Sequence, residues 1–130
     1  MKGVVADTSE WIEHLAGRPA PLFGQCLESR AIIVPLITVT ELTSGARTRE
    51  EFMVIEDLFE GLPHHQATFH YFSRAGELRR LMREKGLSVS PSDALVAQCS
   101  LDRDAPLLTR DAVFWKIAAH TTLRIASALI

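Results

Sequence analysis

The sequence is poor in cysteine and has no long apolar run. Its 130 residues include two cysteines, Cys26 and Cys99, which form no CxxC pair and have no histidine partner at a zinc-ligand spacing. This argues against a disulfide framework or a structural zinc site and favours two buried free thiols. A bilayer-spanning helix needs about 18 apolar residues, whereas the longest run covers residues 31–37. Because the first residues form an apolar strand pattern without a signal-peptide layout, we expect a soluble, cytoplasmic protein.

Net charge is also small. The formal charge of −2 would ordinarily argue against a nucleic-acid partner, although the total says nothing of how the charges are distributed. Five bases lie within twelve residues: Arg74, Arg79, Arg80, Arg83 and Lys85. We favour a solvated helix face for this cluster, and phosphate binding is the alternative because the planar guanidinium suits phosphate.

Short apolar segments alternate with amphipathic ones along the chain. The predicted strands are residues 2–6, 31–34, 66–70, 106–109 and 122–126, and the predicted helices are residues 8–16, 21–29, 38–46, 48–61, 71–85, 91–101 and 111–120. This alternation predicts an α/β fold around a mainly parallel sheet of four or five strands. With 47% hydrophobic residues, a chain of this length predicts one domain over residues 1–130.

Four acidic residues stand at predicted helix starts, each after an apolar stretch: Asp7, Glu41, Asp93 and Asp111. In a parallel α/β fold, strand ends and the following helix starts gather at one edge of the sheet, where ligands bind. Four carboxylates there would repel one another unless a cation bound between them. An all-oxygen ligand set matches Mg²⁺ or Mn²⁺ better than zinc. Such an ion supports phosphodiester hydrolysis without a protein nucleophile.

Each acid also has a purely structural interpretation at a helix start. The caps predicted in this way are Asp7 with Glu10, Thr38 with Glu41, Ser90 ahead of Asp93, and either Thr109 or Asp111. Taken singly, no acid decides between cap and metal ligand. Taken jointly, four distant helix starts converging on one edge favour the metal site.

The order of these motifs resembles that of PIN-domain nucleases, and most closely the VapC-type toxins of bacterial and archaeal toxin-antitoxin pairs. The matching segments are Asp7-Thr8-Ser9, Thr40-Glu41-Leu42, Asp93-Ala94-Leu95-Val96-Ala97 and Thr109-Arg110-Asp111. The resemblance spans essentially the whole chain. It implies a Rossmann-like three-layer sandwich with Mg²⁺- or Mn²⁺-dependent endoribonuclease activity.

The resemblance also implies residue roles and partners. By motif position, Asp7 and Asp93 are the principal metal ligands, Glu41 and Asp111 the remaining catalytic acids and direct or water-mediated ligands, and Ser9 and Thr109 the supporting hydroxyls. The implied partners are an RNA substrate, a second copy of the chain and a cognate antitoxin protein. The alternative is a non-catalytic PIN-fold domain that binds RNA or a protein partner.

The amphipathic helix predicted at residues 48–61 has three interpretations. Its apolar stripe comprises Phe52, Ile55 and Phe59, with Leu62 beyond its end. Such a stripe is compatible with a groove for an antitoxin segment, with a dimer interface or with ordinary core packing.

Overall fold

Four parallel strands and seven helices make up residues 3–126, the part of the chain that the computed structural model describes. In chain order they are β1 (Val4–Ala6), α1 (Thr8–Leu15), α2 (Pro21–Glu28), β2 (Ile32–Pro35), α3 (Leu36–Ser44), α4 (Arg49–Glu60), β3 (His64–His65), α5 (Phe69–Glu84), α6 (Pro91–Arg103), β4 (Leu107–Leu108) and α7 (Ala112–Ala118). The predicted α/β class is therefore confirmed.

The sheet has the strand order β3-β2-β1-β4, and all its pairs are parallel. Val5 of β1 lies opposite Ile33 on one side and Leu107 on the other, so β1 is an inner strand. The chain builds outwards from β1 through β2 to β3 and later returns to place β4 on the opposite side. Ligands of open α/β sheets bind at the carboxyl ends of the strands beside such a reversal.

Side chains alternate between the two faces of the sheet. Val5 and Ile33 point into a core formed with α5, α6 and α7. Their neighbours Val4, Ile32 and Val34 point into a second core, formed with α1, α2 and α4. Because helices cover both faces, β1, β2 and β4 consist of continuous apolar runs, and the architecture is the expected three-layer sandwich.

Two predictions about the strands were wrong. The strand predicted at residues 66–70 is replaced by β3 at His64–His65 and by the start of α5, where Thr68 accepts a hydrogen bond of 3.2 Å from the Tyr71 N–H. This cap ends the extended segment before it reaches Phe69. The fifth strand, predicted at residues 122–126, is reduced to one bridge between Leu107 and Ile125. Lys2, predicted as the start of the first strand, lies outside the described residues.

The other element boundaries agree with the predictions to within two residues, and one of these shifts changes an interpretation. Helix α3 begins at Leu36, directly after Pro35, and not at residue 38. Thr38 is consequently buried inside the helix and cannot cap its start. The capping box predicted for Thr38 and Glu41 is therefore wrong.

The two thiols are buried and free, as predicted. Burial raises the pKa of Cys99 to about 12, so that thiol stays protonated and unreactive. Within residues 3–126, none of the helices has the length and apolar character needed to cross a membrane.

Candidate metal centre

The carboxyl ends of β1 and β4 bring the first and last candidate acids together. Asp7 follows β1 directly, and its N–H donates a hydrogen bond of 3.1 Å to the carbonyl of Leu108, the last residue of β4. Thr109 and Asp111 come immediately after β4. Residues about 100 positions apart in sequence therefore meet at one edge of the sheet.

The Asp7 carboxylate is buried and held by two hydroxyl groups. Ser9 Oγ donates to Oδ1 at 2.6 Å, and Thr109 Oγ1 donates to Oδ2 at 2.9 Å. Asp7 occupies the N-cap position of α1, but its side chain makes no capping hydrogen bond. The Asp7 cap prediction is thus wrong for the side chain, and both predicted supporting hydroxyls contact Asp7.

Burial dominates the acidity of Asp7. Desolvation raises the pKa of its carboxyl from 3.8 to about 6, against hydrogen bonds from Ser9 and Thr109 that lower it. The negative charge of Asp111 raises the pKa further. A side chain only 5% exposed is therefore held in a place that disfavours its charged form. A nearby cation would reverse that preference.

Glu41 lies in the middle of α3, as its sixth residue, and is exposed. Thr8 Oγ1, from the first turn of α1, donates to Glu41 Oε1 at 2.6 Å. Thr8 was not among the site residues predicted from the sequence. The only signal was its place in Asp7-Thr8-Ser9, because Thr8 and Glu41 are 33 positions apart.

Asp93 is the third residue of α6, and its backbone is capped by another side chain. Ser90 Oγ accepts the Asp93 N–H at 3.1 Å, as the predicted cap requires. Burial raises the pKa of the Asp93 carboxyl, and the charges of Asp111 and Glu41 raise it further. Asp93 therefore shares an electrostatic field with acids from two other elements.

Asp111 does act as a helix cap. Its Oδ1 accepts the Val113 N–H at 3.1 Å at the start of α7, which confirms the structural interpretation for this residue. Its own N–H donates to Thr109 Oγ1 at 3.0 Å. Thr109 thereby joins Asp111 to Asp7. Capping commits one of the two oxygens of Asp111.

A second link crosses the gap between the ends of β1 and β4. The Arg110 N–H donates to Ser9 Oγ at 3.0 Å, and the Arg110 guanidinium pairs with buried Glu10 at 3.1 Å. Glu10 was predicted to complete a capping box with Asp7, and that prediction is wrong, because the Asp7 N–H instead bonds Leu108. Sequence spacing offered no signal for a pair 100 positions apart.

The four acids surround one edge without forming a closed ligand shell. Among residues 3–126, no three His, Cys, Asp or Glu side chains are grouped closely enough to ligate one ion by themselves. The acids nevertheless influence one another electrostatically. The charge of Asp111 raises the pKa of Asp7, and the charges of Asp111 and Glu41 raise the pKa of Asp93. Mg²⁺ characteristically binds through one or two carboxylates and keeps several waters. An open, oxygen-only arrangement fits that preference.

Comparison with known proteins identifies the family and the fold. A family model for the PIN domain matches residues 4–120. Similar solved structures include VapBC2 from Rickettsia felis bound to a promoter DNA fragment, with 21% identity, TM-score 0.76, and 94% of this chain and 96% of that chain covered. VapBC-1 from nontypeable Haemophilus influenzae has 18% identity and TM-score 0.71, with 95% and 96% covered.

A third similar structure is FitAcB from Neisseria gonorrhoeae, at 18% identity and TM-score 0.68, with 95% of this chain and 96% of that chain covered. At these identities the structures establish a shared fold. Comparison with curated proteins found no match. The family model covers nearly the whole chain, and the chain therefore belongs to the PIN-domain family, whose members are in general nucleases.

Proposed function

We propose that this protein is a metal-dependent endoribonuclease that hydrolyses RNA phosphodiester bonds, and that it is the toxin of a VapBC-type pair. The observation that carries the proposal is the buried Asp7 carboxylate, fixed by Ser9 and Thr109 near the negative charge of Asp111. A carboxylate kept in such a place is costly unless a cation compensates it. The membership in a nuclease family supports the same conclusion.

Asp7 and Asp93 would hold the ion, Mg²⁺ or Mn²⁺, with Glu41 and Asp111 as the remaining direct or water-mediated ligands. Burial raises the pKa of both carboxyl groups, and a bound cation would lower the pKa of each by favouring its charged form. When bound, such an ion polarises a phosphoryl oxygen and lowers the pKa of a coordinated water.

The chain's own side chains position the reacting groups. Ser9 and Thr109 hold both oxygens of Asp7, which fixes the orientation of that carboxylate. Glu41 and Asp111 each commit one oxygen, to Thr8 and to the Val113 N–H. The second oxygen of either acid can accept a hydrogen bond from the attacking water, orient it and take up its proton.

Metal dependence provides the direct test. The purified protein should cleave structured RNA in Mg²⁺ or Mn²⁺. Chelation with EDTA should slow cleavage by at least about 10²-fold, because the proposed reaction uses a metal-activated water and no protein nucleophile. Adding the metal back should restore the rate. If RNA binds but stays intact with every ion tested, the non-catalytic RNA-binding alternative replaces the enzyme.

The proposed antitoxin docks in a groove between α1, α3 and α4. This groove of about 740 Å³ has exposed Ile12, Leu15 and Val54 in its lining, with Thr8 and Glu41 beside them. It therefore joins an apolar surface to the metal centre. The sequence resemblance to VapC-type toxins, together with the VapBC names of two similar structures, supports an antitoxin as its occupant.

The proposed homodimer would form elsewhere, over exposed Phe69 and Phe72 at the start of α5. One substitution separates the two surfaces. Val54→Glu places a charge in the groove and should weaken the antitoxin complex at least about tenfold, because an unpaired carboxylate would be desolvated. Met53→Glu is the matched control, since Met53 is exposed on the same helix but does not line the groove.

Calorimetry measures the antitoxin affinity, and sedimentation measures the dimer. Val54→Glu should leave the dimer mass unchanged. If Val54→Glu instead yields monomers, the groove is the subunit interface and the docking assignment is wrong. Equal losses of antitoxin affinity in both variants would also contradict it.

A further inference from the structure

A cavity lined by arginine lies beside the turn that joins α5 to α6. It measures about 250 Å³ and is lined by Arg79, Arg83 and residues 86–89. A water molecule in the liquid takes up about 30 Å³, so the cavity has room for a phosphate group together with solvent. These lining residues, all in the described part of the chain, include no carboxylate.

The structure divides the basic cluster of α5 into paired and unpaired members. Arg74 is bound by Asp102 at 2.6 Å, and Arg80 is bound by Glu77 and Glu84 at 2.7 and 2.9 Å. These two arginines, each paired with a neighbouring acid, belong to the solvated helix face that the sequence favoured. Within residues 3–126, neither Arg79 nor Arg83 has a carboxylate at ion-pair distance.

Arg79 is also fixed in place. Its Nε donates a hydrogen bond of 2.7 Å to the carbonyl of Val89, across the turn. A guanidinium held through one nitrogen keeps its other N–H donors for a ligand and loses little rotamer freedom on binding. The cavity therefore presents positive charge on a partly ordered frame, as an oxyanion site requires.

The end of α5 opposes an anion only weakly. A helix carboxyl end carries about half a negative charge, and the N–H groups of Gly86 and Leu87 already bond its last carbonyls. The full positive charges of Arg79 and Arg83 exceed that half charge. The net field of the cavity thus favours an anion.

The same turn leads directly into the metal centre. Val89 lines the cavity, and the next residue, Ser90, accepts the Asp93 N–H. Four Cα steps of about 3.8 Å limit the separation of Val89 and Asp93 to about 15 Å. We propose that the Arg79 and Arg83 cavity binds a backbone phosphate of the RNA strand, close to the bond that is cleaved at Asp93. The identity of this ligand rests on the proposed ribonuclease function.

The test measures binding of a short single-stranded RNA in EDTA, where the strand stays intact. Arg83→Gln removes one phosphate contact and should reduce the slope of log affinity against log salt by about 0.7, which is about fivefold in affinity at 0.1 M salt. Arg80→Gln is the matched control, because it removes the same charge from the same helix at an ion-paired position. It should leave the slope unchanged.

Three results would overturn the proposal: equal slopes for both variants and wild type, equal losses in both variants, or an Arg83-dependent thermal shift with inorganic phosphate while RNA binding is unaffected. The last would assign the cavity to free phosphate. Cleavage by wild type with Mg²⁺ distinguishes this proposal from the nuclease proposal. If RNA binding depends on Arg83 but wild type cleaves no RNA, the phosphate-binding proposal is supported and the ribonuclease proposal is wrong. If wild type cleaves RNA but Arg83→Gln leaves RNA binding unchanged, the ribonuclease proposal is supported and the phosphate-binding proposal is wrong.

Discussion

Asp93→Asn should lower RNA cleavage by about 10³-fold or more while leaving the fold intact. The substitution keeps the size of the side chain and removes a negative charge that we assign to the metal, which corresponds to about 4 kcal/mol of activation barrier. The hydrogen bond that caps α6 comes from the backbone N–H of Asp93 to Ser90, so it survives the change. The loss should appear as a lower rate at saturating metal and as weaker metal binding.

A matched control separates the loss of a ligand from the loss of a charge. Asp57→Asn removes an exposed carboxylate from α4, away from the metal centre, and should cleave RNA at the wild-type rate. Circular dichroism would verify that both variants are folded. A folded Asp93→Asn protein with more than about a tenth of wild-type activity would remove Asp93 from the catalytic set, because losing a principal ligand should cost far more.

The sequence predicted the α/β layers and the edge at which the acids meet, because both follow from local patterns. Apolar runs such as residues 31–34 are typical of strands covered on both faces, and Asp7 follows such a run directly. Helix starts after strand ends then place Asp7, Asp93 and Asp111 at one edge by topology. Glu41 is an exception, because it lies in the middle of α3 and not at its start. The family model confirms the resemblance that these motifs indicated.

The remaining contacts depend on tertiary packing. Strand β3 consists of two histidines, a pair that no apolar pattern would mark as a strand, and it forms by pairing with the end of β2. The bond from Thr8 to Glu41 is equally invisible to spacing. Local capping rules predicted a capping box for Asp7 and Glu10. Instead, residues just after β4 contact both side chains: Thr109 bonds Asp7, and Arg110 pairs with Glu10. Tertiary partners therefore overrode local ones at the site.

Asp7→Asn should abolish cleavage and yet stabilise the metal-free protein at neutral pH. The pKa of Asp7 is about 6 in the folded protein, against an ordinary value of 3.8 in the unfolded chain. The folded state therefore binds the proton more tightly, so the free energy of unfolding falls as pH rises from about 4 through 6. Above pH 6 the full penalty is present, at about 3 kcal/mol. The Asn side chain carries no charge and therefore does not incur this penalty.

Thermal unfolding in EDTA at pH 5 and pH 7.5 measures this difference. At pH 7.5 Asp7→Asn should melt at least about 5 °C above wild type, less than the full penalty implies because the amide accepts fewer hydrogen bonds than the carboxylate does from Ser9 and Thr109. At pH 5 the gap should narrow, since wild-type Asp7 is then largely protonated. Asp57→Asn, the control, should have the same melting temperature as wild type at both pH values. Saturating Mg²⁺ should stabilise wild type and not the variant, because the ion compensates the desolvated negative charge of Asp7, which Asn lacks. A variant that melts below wild type at pH 7.5 would mean that the hydroxyl contacts outweigh desolvation, and that the fold does not depend on a cation to tolerate Asp7.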